Sequence, residues 1–198
     1  MEQLNKKIFP NRRSVVGKLL KERQDMLIVT GLGSSTYDVY AAGDHNNNFY
    51  LWGAMGSAAT VGLGLANSQP TRKVLVITGD GEMLMGIGAL ATIAVQRPTN
   101  LTIVVLDNGH YGETGMQQSH AGKGIQLDRI AHACEFDYSV QLTTLEEIES
   151  LRQHIHSNES LNFAVIKIST ENPPRTMPSR DGVHIKNRFR ISLGFPPN

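Results

Sequence analysis

A chain of 198 residues, 40% hydrophobic and 19% charged, has the size and apolar content of one α/β domain that buries its own core without metal or disulfide support. Nineteen Lys and Arg against 18 Asp and Glu leave a formal net charge of +1, which argues against nucleic-acid or membrane binding driven by bulk charge. Cys134 is the single cysteine, so an intrachain disulfide is excluded and a reducing compartment is expected.

The opening "MEQLNKKIFPNRR" holds no apolar leader, and no run approaches the roughly 18 apolar residues of a membrane span, so a cytoplasmic protein is expected. Residues 12–21 have helical spacing and lead to a strand, "MLIVTG" (26–31). A glycine and hydroxyl loop, "GLGSSTYD", follows, then a helix, a polar turn "GDHNNN" and a short strand near Tyr50. After a glycine turn at 53–56, small residues predict a helix over 57–66. "KVLVITG" (73–79) is a continuous apolar run, the pattern of a central parallel strand covered on both faces. A helix is predicted from about 82 to 96, ended by Pro98.

A second such strand, "LTIVVLDNG" (101–109), again ends in polar residues and glycine. The stretch 126–136 is amphipathic, with Cys134 on its apolar face as a small buried hydrophobe. Residues 143–157 read as a helix with a threonine cap, 162–170 as a last strand, and 171–198 as a basic tail. Strands alternating with helices predict a single doubly wound domain, 1–198, with a mostly parallel sheet, helices on both faces and a core of about 26–170. Such sheets bind ligands beyond the carboxyl ends of their strands, where the glycine-rich stretches fall.

"VITGDGEML" places one carboxylate, Asp80, at a strand end between Gly79 and Gly81. Asn108 follows by 28 residues, about the length of a turn, a helix and a return strand, so both side chains are expected at one sheet edge. A carboxylate, an amide oxygen and a loop carbonyl suit Mg²⁺, which takes a few protein oxygens and completes its octahedron with phosphate and water. Glycines let the backbone approach a diphosphate, and the following helix start offers N–H groups to it. Taken alone, Asp80 also suits a turn or an N-cap, Asn108-Gly109 an ordinary turn, and Met55 plain core.

"GDG", about 26 residues, then Asn resembles the signature of thiamine-diphosphate enzymes, and "WGAMGSAATVGLGLA" resembles the stretch preceding it in their diphosphate-binding domain. By that resemblance Asp80, the Asn108 side chain and the His110 carbonyl hold Mg²⁺. Met55 is the apolar wedge that bends the cofactor into a V, and the Gly53 carbonyl, beside Ala54, accepts from its aminopyrimidine. Gly31, Gly33, Ser34, Ser35, Gly79, Gly81, Glu82, Tyr111, Gly112, Glu113 and Thr114 line the diphosphate. The V brings the aminopyrimidine to the thiazolium C2 proton, so the cofactor helps deprotonate itself before attacking a 2-oxo acid. Across about 27–193, "GDGEMLMGIGALATIA", "LDNGHYGETGMQQSH" and "MPSRDGVHIKNRFRISL" are similar to β subunits of sulfopyruvate decarboxylase and the matching region of phosphonopyruvate decarboxylase.

Family enzymes also use a glutamate on a separate pyrimidine-binding domain, for which this chain has no room. The resemblance therefore implies a pyrimidine-binding α subunit that supplies the activating glutamate, in a homo- or hetero-oligomer acting on a small 2-oxo acid. A split carboligase, an oxidative decarboxylase and a non-catalytic cofactor-binding module are the alternatives. An unrelated nucleotide-binding protein is weakened because "GLGSST" (31–36) lacks the third glycine of G-x-G-x-x-G. His110 and His120 sit in the loop expected over the cofactor, whereas His45, His132, His154, His156 and His184 show no convergent spacing. Arg175, Arg180, Lys186, Arg188 and Arg190 are expected to be solvated or to touch a partner, or to attract an anionic substrate.

Overall fold

The computed structural model describes residues 8–198, so the first seven residues of the opening stretch lie outside the described residues. Six parallel strands form one sheet in the order β2-β1-β3-β4-β8-β7. They are β1 (Leu27–Thr30), β2 (Asn48–Tyr50), β3 (Val74–Gly79), β4 (Leu101–Asp107), β7 (Tyr138–Leu142) and β8 (Asn162–Lys167). A two-stranded hairpin, β5 (His110–Tyr111) with β6 (Gln117–Gln118), stands apart from the sheet.

The continuous apolar runs arise because side chains alternate across the sheet and both faces are covered. Val76, Ile103, Phe163 and Val165 enter one core, under α3 (Ala58–Ser68), α5 (Ala89–Gln96) and α6 (Leu127–Ala133). Leu75, Ile77, Val104 and Ile166 enter the other, under α1 (Arg12–Leu19), α2 (Ser34–Ala41) and α7 (Leu145–Ser157). The capping threonine of α7 is Thr144. Its hydroxyl accepts from the Glu147 amide at 3.2 Å, while the Glu147 carboxylate accepts from the Thr144 amide at 3.0 Å. From β1 the chain moves outward to β2, then returns to β3 on the other side of β1. This reversal is the switch point at which doubly wound sheets open a crevice.

Three expectations need correction. The helix expected over 82–96 is two helices, α4 (Asp80–Met85) and α5, parted at Gly86 to Gly88. There the backbone of Gly86 lies so close to that of Gly56 that an added Cβ would stand 1.9 Å from the Gly56 oxygen. The edge strand β7 was not expected, because its burial is only partial. The basic tail ends in a helix, α8 (Gly182–Ser192), capped by Asp181, whose side chain accepts from the amides of Val183 and His184. Ile185 and Phe189, one turn apart, anchor it, and Phe189 packs 5.4 Å from Phe49 between ring centroids.

Gly86→Ala is expected to force the Met55-bearing loop away from α4, an overpacking cost of about 1–3 kcal/mol. Thermal unfolding measured beside the wild type checks it, and an unchanged melting temperature would contradict the contact.

Candidate active site

A cleft of about 110 Å³ opens at the switch point, and all but four of the predicted site residues line it. Gly31, Gly33, Gly53 and Ala54 flank it without lining it. Arg12, Leu32, Leu106 and Ile168 line it without having been expected to.

Asp80 and Asn108 arrive here because β3 and β4 pair in parallel, with Gly79 opposite Leu106, so both strands end at the same edge. Asp80 is the first residue of α4 and 2% exposed. Its carboxylate meets the Ser119 hydroxyl, and among the described residues no basic side chain pairs with it. Burial pushes its pKa up to about 6, helped by the negative charge of Asp107 and opposed by the Ser119 bond and the amides of Asp80 and Gly81. Asp107 itself is paired with Lys167. Asn108 uses its side-chain oxygen to cap the turn, accepting from the His110 amide at 2.9 Å, and its carbonyl meets His110 Nδ1 at 2.8 Å. The His110 ring is thus held by the turn, and His120 is exposed.

An ionised carboxylate without a counter-charge is an expensive thing to bury. A hard cation would remove that cost, and an amide oxygen with a second free lone pair, that of Asn108, lies just past the end of the neighbouring strand. Among the described residues no three His, Cys, Asp or Glu side chains converge, and the donors at the cleft are one carboxylate and one amide oxygen, a set that suits a hard cation completing its sphere with phosphate and water. The residues present fit Mg²⁺ and a diphosphate.

Met55 projects from a loop with left-handed backbone on either side: Gly53 at φ 92°, Ala54 at 49° and Gly56 at 88°. It is 42% exposed, which sets aside the plain-core reading. Left-handed Ala54 is strained, and such strain persists where the surroundings impose it.

Glu82 does not reach outward. Its Oε2 accepts from the Leu32 amide at 3.1 Å and from the Thr78 hydroxyl at 2.9 Å, tying the loop after β1 to α4. Glu113 packs on Gly33, reaches Ser34 Oγ at 3.4 Å and pairs with Arg175 at 2.8 Å. Gly81 is glycine because a Cβ there would sit 2.3 Å from the Tyr111 ring.

Of the tail's charges, Arg175 reaches the cleft through Glu113, whereas Arg188 binds Asp44 at 2.6 Å and Arg190 lies over Phe195. Ser119, which sequence reasoning missed, carries no motif of its own and comes to Asp80 only when the hairpin closes. Cys134 is half-buried against the core. His154 stacks on Tyr138 at 4.3 Å and serves packing.

A cofactor-diphosphate domain is what this sheet, switch-point cleft and oxygen donor set define, and residues 31–168 match the family model described as thiamine pyrophosphate enzyme, C-terminal TPP binding domain. The chain belongs to that family. It is 34% identical to the sulfopyruvate decarboxylase subunit beta of Methanocaldococcus jannaschii, over 94% of this chain and 98% of that subunit. It is 40% identical to the phosphonopyruvate decarboxylase of Streptomyces viridochromogenes, over 95% of this chain but only 47% of that protein. The structure superposes on benzoylformate decarboxylase from Polynucleobacter necessarius with a TM-score of 0.70 at 20% identity, over 88% of this chain and 36% of that one, a likeness of fold. No helix among the described residues is long and apolar enough to cross a membrane.

Asp80→Asn removes the buried charge. Because the folded pKa lies above the ordinary 3.8, the folded state binds the extra proton, so the stability penalty is absent below pH 4, grows through pH 4–6 and is complete above it. The variant is therefore expected to melt higher than the metal-free wild type at pH 8, and no higher at pH 4, while losing Mg²⁺-dependent cofactor binding. Paired melting curves at the two pH values, with titrations, check this.

Proposed function

We propose that the chain is the diphosphate-binding subunit of a 2-oxoacid decarboxylase of the sulfopyruvate or phosphonopyruvate type. It works with thiamine diphosphate and Mg²⁺ and is completed by a pyrimidine-binding subunit that supplies the activating glutamate. The observation that carries the reading is the meeting of an unpaired buried carboxylate, Asp80, with Asn108 at a cleft overlooked by an exposed Met55. Matches at 30% identity or better to proteins with these activities support the substrate class.

When bound, thiamine diphosphate supplies the electron sink into which a 2-oxo acid loses carbon dioxide. The residues of this chain do the holding. Asp80, the Asn108 side chain and the His110 carbonyl would ligate Mg²⁺, and the amides at the start of α2 and α4 would meet the diphosphate oxygens. Met55 would set the angle between the two cofactor rings, and the Gly53 carbonyl would accept from the aminopyrimidine.

Two observations support a partner. Of the carboxylates at the cleft, Asp80 is assigned to the metal, Glu82 is engaged by Leu32 and Thr78, and Glu113 by Ser34 and Arg175. Glu82 Oε1 has no partner, but it is buried and the other oxygen of the same carboxylate anchors it inward. Beside Met55, the apolar side chain of Met85 stands 61% exposed on α4, a surface that a second polypeptide would cover.

Co-expression with a pyrimidine-domain subunit from the same organism, followed by product analysis with 3-sulfopyruvate and phosphonopyruvate, tests the assignment. Release of carbon dioxide and the aldehyde from one of them is expected, and release from neither would contradict it. In the same system Met55→Ala is expected to lower kcat by at least about tenfold with cofactor affinity retained, and Met85→Glu to prevent subunit association while the chain stays folded. Size-exclusion chromatography and steady-state kinetics read the two effects.

A further inference from the structure

The wall of the cleft facing α2 includes a residue from outside the family match: Arg12, at the start of α1. Arg12 is 4% exposed, although arginine is almost never fully buried without a reason. It also stands in the first turn of a helix whose first turn holds no acid, where the helix dipole disfavours a cation.

Its partners do not use up its charge. Arg12 Nη1 donates to Asp38 at 3.0 Å, but Arg13 Nε donates to the other oxygen of the same carboxylate at 3.2 Å, so two guanidiniums share one anion. Arg12 Nη2 donates to the neutral Asn172 at 3.1 Å. Two of its five N–H groups are thereby committed. On the same wall stand Ser34 and Ser35 at the start of α2, whose preceding residue, Gly33, offers no side-chain cap, so the amides of the first turn have no side-chain acceptor. A surplus positive charge and an uncapped helix start share one face of the cleft. Glu113, the other carboxylate there, is already paired with Arg175.

We propose that Arg12 is an anion ligand that donates to the terminal phosphoryl oxygens of the cofactor diphosphate at the start of α2. This rests on the reading of the cleft as a thiamine-diphosphate site. α1 is then part of the binding machinery, and through Asn172 it draws the segment after β8 against the cleft.

The test compares full-length wild type, Arg12→Met, Arg12→Lys and Arg13→Met by calorimetric titration with Mg²⁺ and either inorganic diphosphate or thiamine diphosphate, each variant first checked for folding by circular dichroism. Arg13→Met is the control, since it also leaves Asp38 with one arginine but Arg13 does not line the cleft. A loss of at least about tenfold for both ligands is expected in Arg12→Met, a smaller loss in Arg12→Lys, and less than about threefold in Arg13→Met. Equal losses in Arg12→Met and Arg13→Met, or none in Arg12→Met, would overturn the assignment. If Arg12→Met fails to fold, Arg12→Lys decides, because it keeps a counter-charge for Asp38; undiminished affinity would overturn the proposal. Arg12-dependent binding of inorganic diphosphate without binding of thiamine diphosphate would uphold Arg12 as the anion ligand and refute the cofactor reading instead.

Discussion

The register of β3 on β4 is the constraint on which the site depends. Both strands are buried on both faces, so neither can slip by one residue without turning its whole apolar set over. With Gly79 held opposite Leu106, Asp80 and Asn108 must leave the sheet side by side. The pairing of β1 with β3, Thr30 opposite Ile77, brings the loop after β1 to the same edge. A cleft bordered by a buried unpaired carboxylate is therefore a consequence of strand pairing, and the cost of desolvating Asp80 is carried by the two cores beneath it.

The loops around the cleft are fixed by contacts between them. Glu82 holds Leu32 from α4, Glu113 holds the start of α2 from the hairpin turn, and the backbones of Gly56 and Gly86 touch. Trp52 Nε1 donates to the Ser179 carbonyl at 2.9 Å, pinning the segment before α8 near the Met55 loop. The strained Ala54 is thus held between two anchored points. The ring-bending role proposed for Met55 would need such a rigid base, because a mobile methionine would sample many rotamers.

Much of this was legible in the sequence, for physical reasons. The central strands announce themselves as unbroken apolar runs, and Gly-Asp-Gly after one such run left few meanings once Asn108 followed at the spacing of a strand–helix–strand unit. Thr144 marked its helix by side-chain chemistry that acts within four residues. The rest depended on distance or on a masked pattern. α8 carries Ile185 and Phe189 one turn apart behind an aspartate cap, but five basic residues nearby drew the reading toward a solvated tail. The Gly86 break was hidden because glycine inside an apolar helical pattern is tolerated, and only the Gly56 backbone makes it obligatory here. Arg12 and Ser119 reach the cleft through partners 26 and 39 residues away, Asp38 and Asp80, and no local periodicity reports such pairs.

The central claim is that Asp80 and Asn108 together hold a divalent cation that ties a diphosphate to this edge of the sheet. Its most direct test is a crystal of the protein grown with thiamine diphosphate and Mn²⁺ in place of Mg²⁺, with the metal located by anomalous scattering. The account predicts one peak bonded to an Asp80 carboxylate oxygen, the Asn108 side-chain oxygen and diphosphate oxygens at the mouth of α4. A cofactor bound with the metal elsewhere, or bound at this edge without a metal, would contradict it.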